Sequence, residues 1–217
     1  MHFVKKFKLT QVFFYCIMYF NSNSQEVLMY PDIPRTSPAA LKRKQQIENC
    51  LLENMLHTPY HLVSVADICR QVGISRRAFY TYYPDKDACL HSLIDQVIRQ
   101  SMKSTEDSLE KTVDPVEGCT EHLEFWKSQK TFLDAIVRND LIHVFLGRNI
   151  NYFLEEEHSL LRLLDTPNVE PDMDILYSYT GIRISLLIRW YSRNFDTPTE
   201  EMARKYVRMI QSPMIHL

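Results

Sequence analysis

The stretch GISRRAFYTYY, Gly73 to Tyr83, lies inside VADICRQVGISRRAFYTYYPDK, Val65 to Lys86, and its reading decides the fold. Two arginines, three tyrosines and a phenylalanine crowd beside one of only four glycines in a chain of 217 residues. Ser64 and Ser75 each precede a short run, as N-caps do, because a serine oxygen accepts a first-turn N–H that has no helical partner. Val65, Ile68 and Val72 are spaced to bury one helical face. Gly73 closes that run, since glycine takes the left-handed conformation cheaply. Pro84 stops the next run. The pattern predicts a helix over 65–72 and a second over 76–83 across a tight turn, a helix-turn-helix.

Working outward, Ser37 and Pro38 read as the N-cap and first position of a preceding helix, with Leu41, Ile47, Leu51, Leu52 and Met55 as its apolar face and Pro59 beyond its end. Asp85 opens a fourth helix through Leu90, Leu93, Ile94, Val97 and Ile98 towards Thr105. Helices are predicted over 115–127, 131–138, 140–164, 173–193 and 199–211, with DTPNVEPDMD, 165–174, as the clearest loop. Four glycines and the absence of alternating Val/Thr/Ile runs argue against sheet. The expected fold class is all-α: an N-terminal three-helix helix-turn-helix domain, 37–84, then 85–217, a connecting helix plus a C-terminal helical bundle. No repeat or low-complexity tract interrupts it.

Residues 1–36 read as an N-terminal extension. The apolar run from Val12 to Phe20 behind a basic start resembles a secretory signal without a small-residue cleavage site. It is too short to span a membrane, which takes roughly 20 apolar residues. QEVLM can be encoded with AGGAGGT, a ribosome-binding sequence, just ahead of Met29. Natural translation is therefore expected to start at Met29; a GAA codon at Glu26 would remove most of that support.

The formal charge of −2 hides an asymmetry. Residues 35–103 hold 10 Lys/Arg against 6 Asp/Glu, a net of +4, and residues 104–217 hold 12 against 19, a net of −7. A basic front on an acidic back suits contact of the front alone with a polyanion. The five cysteines are odd in number and form no C-x-x-C pair, so they read as small buried residues in a reducing compartment, the cytoplasm.

In a helix-turn-helix reader the second helix enters the major groove of duplex DNA. Arg76 and Arg77 supply donor forks for guanine edges or phosphates. Tyr80, Thr81 and Tyr82 can donate hydroxyls to phosphate, and helix starts at Ser64 and at Asp85–Lys86 offer free N–H groups. Ser75 caps the reading helix, Lys86 adds a charge, and Ala78 and Phe79 face inward. Two arginines alone would read as a solvated corner; three phenols and a lysine around a capped turn favour DNA.

This segment resembles the DNA-binding domain of the tetracycline-repressor (TetR/AcrR) family of bacterial transcriptional regulators. The resemblance rests on Ser64, Val65, Ile68, Gly73-Ile74-Ser75, Tyr80-Thr81-Tyr82-Tyr83, Lys86 and Leu90, and covers about Ala40 to Ile98. It implies phosphate- or base-contacting places for Ser64, Tyr80, Thr81, Tyr82 and Lys86, with Arg76 and Arg77 at the more variable positions that set the operator. Three residues depart from the family pattern: Pro59 for a glycine, Tyr83 for a phenylalanine and Arg77 for a small residue. The resemblance also implies that the back half is a ligand-binding and dimerisation domain, and that the protein is a homodimeric repressor released from a palindromic operator by a small-molecule effector.

In that back half, ILYSYTGIRISLLIRWY is apolar over about two thirds of a helical wheel, wider than the stripe of a surface helix. Ser178, Gly181, Ile182, Ser185 and Leu186, with Met202, Tyr206 and Ile210 on the last helix, are the expected dimer interface. His122, Phe125, Trp126, His143, Phe145, Tyr152 and Tyr177 are the candidates for lining an effector pocket. The rival readings are a regulator of the same kind governed by a protein partner and, further off, a bundle enzyme. For the latter, Glu155 and His158 have the Glu-x-x-His spacing of di-iron bundles, but no second such motif exists. His57 and His61 are separated by the helix-breaking Pro59. There is no phosphate loop or nucleophile elbow. No enzyme activity, metal, cofactor or membrane partner is expected.

Overall fold

A computed structural model describes residues 37–109, 114–155 and 173–210. Residues 1–36, the 156–172 stretch with Glu156 to His158 and the loop from Asp165, and 211–217 lie outside the described residues. Every regular element among the described residues is helical: α1 (Pro38–His57), a 3₁₀ turn (Tyr60–Leu62), α2 (Val65–Val72), α3 (Arg76–Phe79), α4 (Lys86–Leu109), α5 (Pro115–Ser128), α6 (Lys130–Arg138), α7 (Ile142–Glu155), α8 (Met173–Ser192) and α9 (Thr199–Ile210). They divide into two compact units. One holds the described residues up to Ile98 together with Thr131–Arg148; the other holds Arg99–Lys130 and the described residues from Asn149 onward. The divisions at Ile98 and Arg148 fall inside α4 and α7, not at a loop.

In the first unit, Ser37 Oγ accepts the Ala40 N–H at 3.2 Å and Pro38 occupies the first helical position of α1. The buried face of α1 is Ala40, Ile47, Glu48, Leu51 and Met55. Leu41, expected on that face, is 55 % exposed, whereas Glu48 is buried on it. The Glu48 carboxyl is 3 % exposed and accepts hydrogen bonds from the Tyr83 phenol at 2.6 Å and the Ser92 hydroxyl at 2.7 Å. A buried polar group must find such partners or lose its hydration uncompensated. Burial, and then the nearby Glu48, push the Tyr83 pKa up.

α1 packs on α2 and α2 on α3. The C-terminal carbonyls of α1 are covered within the same unit: Arg138 Nη1 donates to Leu56 O at 2.8 Å and Asn139 Nδ2 to Met55 O at 3.0 Å. Asn139 Oδ1 in turn accepts the Tyr60 N–H at 2.6 Å. Pro59 is accommodated at the start of the 3₁₀ turn, where its own carbonyl accepts Leu62 N–H at 2.8 Å. Asp140, expected to open a helix, has φ 56°, in the left-handed region, so α7 starts only at Ile142.

In the second unit α5 packs against α9 around buried Cys119, Ala203, Tyr206 and Val207. Burial pushes the Cys119 thiol up to about 12. The four described cysteines are free thiols, and all but Cys50 are buried. No described helix is long and apolar enough to cross a membrane.

Removing the Tyr83 hydroxyl leaves Glu48 with one donor fewer in a site closed to water. Tyr83→Phe is expected to lower stability by about 1–2 kcal/mol, read as a lower urea midpoint at constant m-value. An unchanged midpoint would mean that the bond contributes nothing.

Candidate nucleic-acid interface and helical cavity

Val72 ends α2 because Gly73 turns left-handed, with φ 70° and ψ 41°. Its N–H and that of Ile74 both return to Cys69 O, which satisfies the end of the helix. Ser75 then caps α3, its Oγ accepting Ala78 N–H at 3.1 Å. The third helix was expected to run to residue 83, but α3 ends at Phe79. Thr81 N–H and the Thr81 hydroxyl, the latter at 2.6 Å, both go to Ala78 O, which tightens the chain into turns. Phe79 is fully buried and Tyr83 nearly so, which anchors both ends of this segment in the core.

What remains outside is a small polar face. Ser75, Arg76 and Arg77 are exposed, and Tyr80 is 44 % exposed with its ring edge-on to Phe79 at 5.6 Å. The nearby Tyr80 side chain raises the Arg76 pKa further. Tyr82 is half-buried.

Three of the expected DNA contacts are engaged within the fold. Ser64 Oγ accepts Asp67 N–H at 3.1 Å and donates to the Asp67 carboxyl at 2.5 Å. That reciprocal cap holds the Asp67 pKa down, helped by Arg70 at 3.1 Å, and places a negative charge at the start of α2. The Thr81 hydroxyl proton is given to Ala78 O. Lys86 Nζ donates to Tyr60 O at 2.6 Å and Val63 O at 2.8 Å and lies 4.2 Å over the Tyr60 ring. Its pKa is lowered by desolvation, with Asp87 opposing. Lys86 thus closes the loop between α1 and α2 onto the start of α4, using two of its three donors.

The second unit holds a cleft lined by His122, Trp126, Arg183, Leu187, Trp190 and Met202, among others. Its walls are almost wholly apolar atoms, and its free core of about 20 Å³ holds about one water molecule. The polar side chains turn to each other. Trp126 Nε1 donates to His122 Nε2 at 3.1 Å, and Arg183 Nη2 donates to Asn149 Oδ1 at 2.7 Å. Burial and then the Arg183 charge pull the His122 pKa down to about 3, against a hydrogen bond to the Ser101 backbone. His122 is therefore a neutral imidazole that accepts at Nε2. Trp190 is fixed from behind by Phe195, at 4.8 Å between ring centroids, and by its own bond to Thr197 O at 3.0 Å. Asn194 and Phe195 both carry left-handed φ angles, 53° and 56°.

Residues 53–93 match the family model described as bacterial regulatory proteins, tetR family. This part of the chain is a tetR-family segment. The HTH-type transcriptional regulator EthR of Mycobacterium tuberculosis is 34 % identical over 77 residues, 35 % of this chain and 33 % of EthR. The chain thus matches about a third of the length of that curated relative. Among solved structures, a TetR-family transcriptional regulator from Syntrophomonas wolfei aligns with TM-score 0.58 and 19 % identity over 82 % of this chain and 97 % of its own. A TetR transcriptional regulator from Streptococcus agalactiae aligns with TM-score 0.55 and 18 % identity, over 79 % and 95 %. These two likenesses establish the fold: a helix-turn-helix end followed by helices, as the sequence pattern predicts.

Beyond the tetR-family segment the expected sites scatter. Of the seven pocket candidates, His122 and Trp126 line the cleft. Phe125 packs edge-on to Trp126 instead. Phe145 is core of the other unit, edge-on to Phe132 at 5.6 Å. His143 is exposed and spends Nδ1 on Asp140 O, Tyr177 is 53 % exposed, and Tyr152 is half-buried without lining the cleft. Arg183, Leu187 and Trp190 were missed; the signal was a cation inside the apolar run of α8. Of the dimer candidates, Ser178 and Ser185 are exposed and Gly181 and Ile182 half-buried. Leu186 packs against the core around Cys119. Met202 and Tyr206 are buried in their own unit, and the outward face of α9 carries Glu200, Glu201, Arg204 and Lys205. The Ile210 side chain lies outside the described residues.

The His122 imidazole binds a proton near pH 6.5 when unfolded but only near pH 3 when folded. Between those values the unfolded state holds more protons, so stability is lost as pH falls below about 6.5, by up to about 1.4 kcal/mol per pH unit. Urea titrations at pH 7 and pH 5 are expected to show a smaller loss for His122→Gln than for wild type. Equal losses would place the titrating group elsewhere.

Proposed function

We propose that this protein is a DNA-binding transcriptional regulator, a repressor that binds a palindromic operator as a homodimer and is released by a small molecule held in its second unit. One observation carries the DNA reading: α3 is capped by Ser75, pinned by buried Phe79 and Tyr83, and turns Arg76, Arg77 and Tyr80 outward on one short face. The tetR-family match over residues 53–93 supports it. A dimer suits the operator, since two reading helices about 34 Å apart meet successive major grooves. Ser178 and Ser185, exposed along α8, remain the proposed seam. The cytoplasm is the proposed location, where free thiols persist.

A second reading is favoured by the cleft itself. A free core of about one water molecule leaves a ligand no room without side-chain movement, which suits a regulator controlled by a protein partner. A compound that displaces DNA and also perturbs the fluorescence of Trp126 and Trp190 would decide against it.

The DNA reading is tested by fluorescence anisotropy of duplex DNA from upstream of the protein's own gene, at two salt concentrations. Selective binding is expected to weaken steeply with salt. Arg76→Ala is expected to remove about 1–3 kcal/mol of discrimination at the base it reads. Binding that ignores both sequence and this substitution would contradict the reading.

A further inference from the structure

Both tryptophans of the chain, Trp126 and Trp190, line the cleft of the second unit. Of the residues that line it, Arg183 alone carries a charge near neutral pH, since His122 is held neutral by burial. Arg183 is half-buried, and its Nη2 donates to Asn149 Oδ1 at 2.7 Å. Asn149 is wholly buried and neutral, so this contact aims the guanidinium and brings no opposite charge. On the same face of α8 stands Thr180, three residues before Arg183 and seven before Leu187. It is wholly buried, and its hydroxyl makes no hydrogen bond among the described residues. A buried hydroxyl without a partner loses its hydration uncompensated, which native cores avoid unless the group has another use. The wall around these groups is mostly carbon, with Trp126, Leu187, Trp190 and Met202 among it.

From this arrangement, and resting on the reading that a small molecule is held in the second unit, we propose that the cleft takes a small apolar monocarboxylate. Its carboxylate meets Arg183 and the Thr180 hydroxyl, and its hydrocarbon lies against the two tryptophans. A planar guanidinium offers a carboxylate parallel N–H donors and tolerates partial burial better than an ammonium. The Thr180 hydroxyl donates to the same carboxylate, which gives the buried group its partner. An apolar wall with few convergent polar groups fixes a ligand's direction as well as its class. An alcohol of equal length keeps the tail and loses the charge, and an amine meets Arg183 with like charge. Room has to come from a side chain, because the free core holds about one water molecule. Trp126 and Trp190 are held in place by their bonds to His122 and Thr197 O. Met202, unbranched and flexible, is the part of the wall that yields.

The test is a titration of the full chain with hexanoate, hexan-1-ol and hexylamine, read by tryptophan fluorescence. That signal reports this cleft, because both tryptophans line it. Hexanoate is expected to bind about tenfold or more tightly than hexan-1-ol, with hexylamine weakest. Arg183→Gln is expected to remove that preference and to leave hexan-1-ol affinity within about twofold of wild type. Thr180→Val, close to threonine in shape, is expected to weaken hexanoate about fivefold. It is also expected to raise the urea midpoint, because it removes the unpartnered hydroxyl. A purely structural threonine would change stability and leave hexanoate affinity alone. Hexan-1-ol or hexylamine binding as tightly as hexanoate, or hexanoate affinity that neither variant lowers, would overturn the proposal while leaving a cleft that takes small molecules. Hexanoate that binds as expected but leaves DNA affinity unchanged would uphold the site and contradict release by it. Fluorescence that none of the three changes would overturn the proposal and favour control by a protein partner.

Discussion

The buried carboxyl of Glu48 is the constraint on which the reading end depends. It is closed to water, and the two donors that compensate it come from the segment after α3 and from α4, 35 and 44 residues further along the chain. Tyr83 is drawn to Glu48 from just beyond α3, which is confined to four residues. A helix that short has little stability of its own. It is held at one end by the Ser75 cap and Gly73 turn and at the other by Phe79 and Tyr83. The face that carries Arg76 and Tyr80 is thereby fixed by core packing.

Lys86 does the complementary task at the other side of the same unit. By giving two hydrogen bonds to the carbonyls of Tyr60 and Val63, it closes the loop that precedes α2. The same motif position thus serves packing here, where the sequence pattern points to a phosphate. Charge alone does not distinguish these uses; the carbonyls that claim the ammonium lie more than twenty residues back, beyond any local pattern.

Much of the first unit was legible because its signals are local. Ser37–Pro38, Ser64, Gly73 and Ser75 each act within a few residues, and each stands where the caps and turn were expected. The departures are long-range. Tyr83 stands where the family pattern has phenylalanine, and its hydroxyl makes sense only with Glu48, which no periodicity pairs with it. Leu41 was placed inward by its apolarity alone, whereas the helix turns Glu48 in and leaves Leu41 out. The second unit was less legible because apolar faces do not say what covers them. Met202 and Tyr206 fit a partner chain as well as their own core, and only the charged outer face of α9 separates the two. Arg183 and Trp190 were hidden in a run of α8 that reads as uniform packing.

The central claim is that the outward face of α3 meets DNA. Hydrogen–deuterium exchange of the free and DNA-bound protein tests it without assuming which side chains matter. Slower exchange on binding is expected over residues 75–83 and at the start of α2, where backbone and side chains would lie against the duplex. Protection that leaves 75–83 untouched while DNA is bound would contradict the account and move the interface to another face of the molecule.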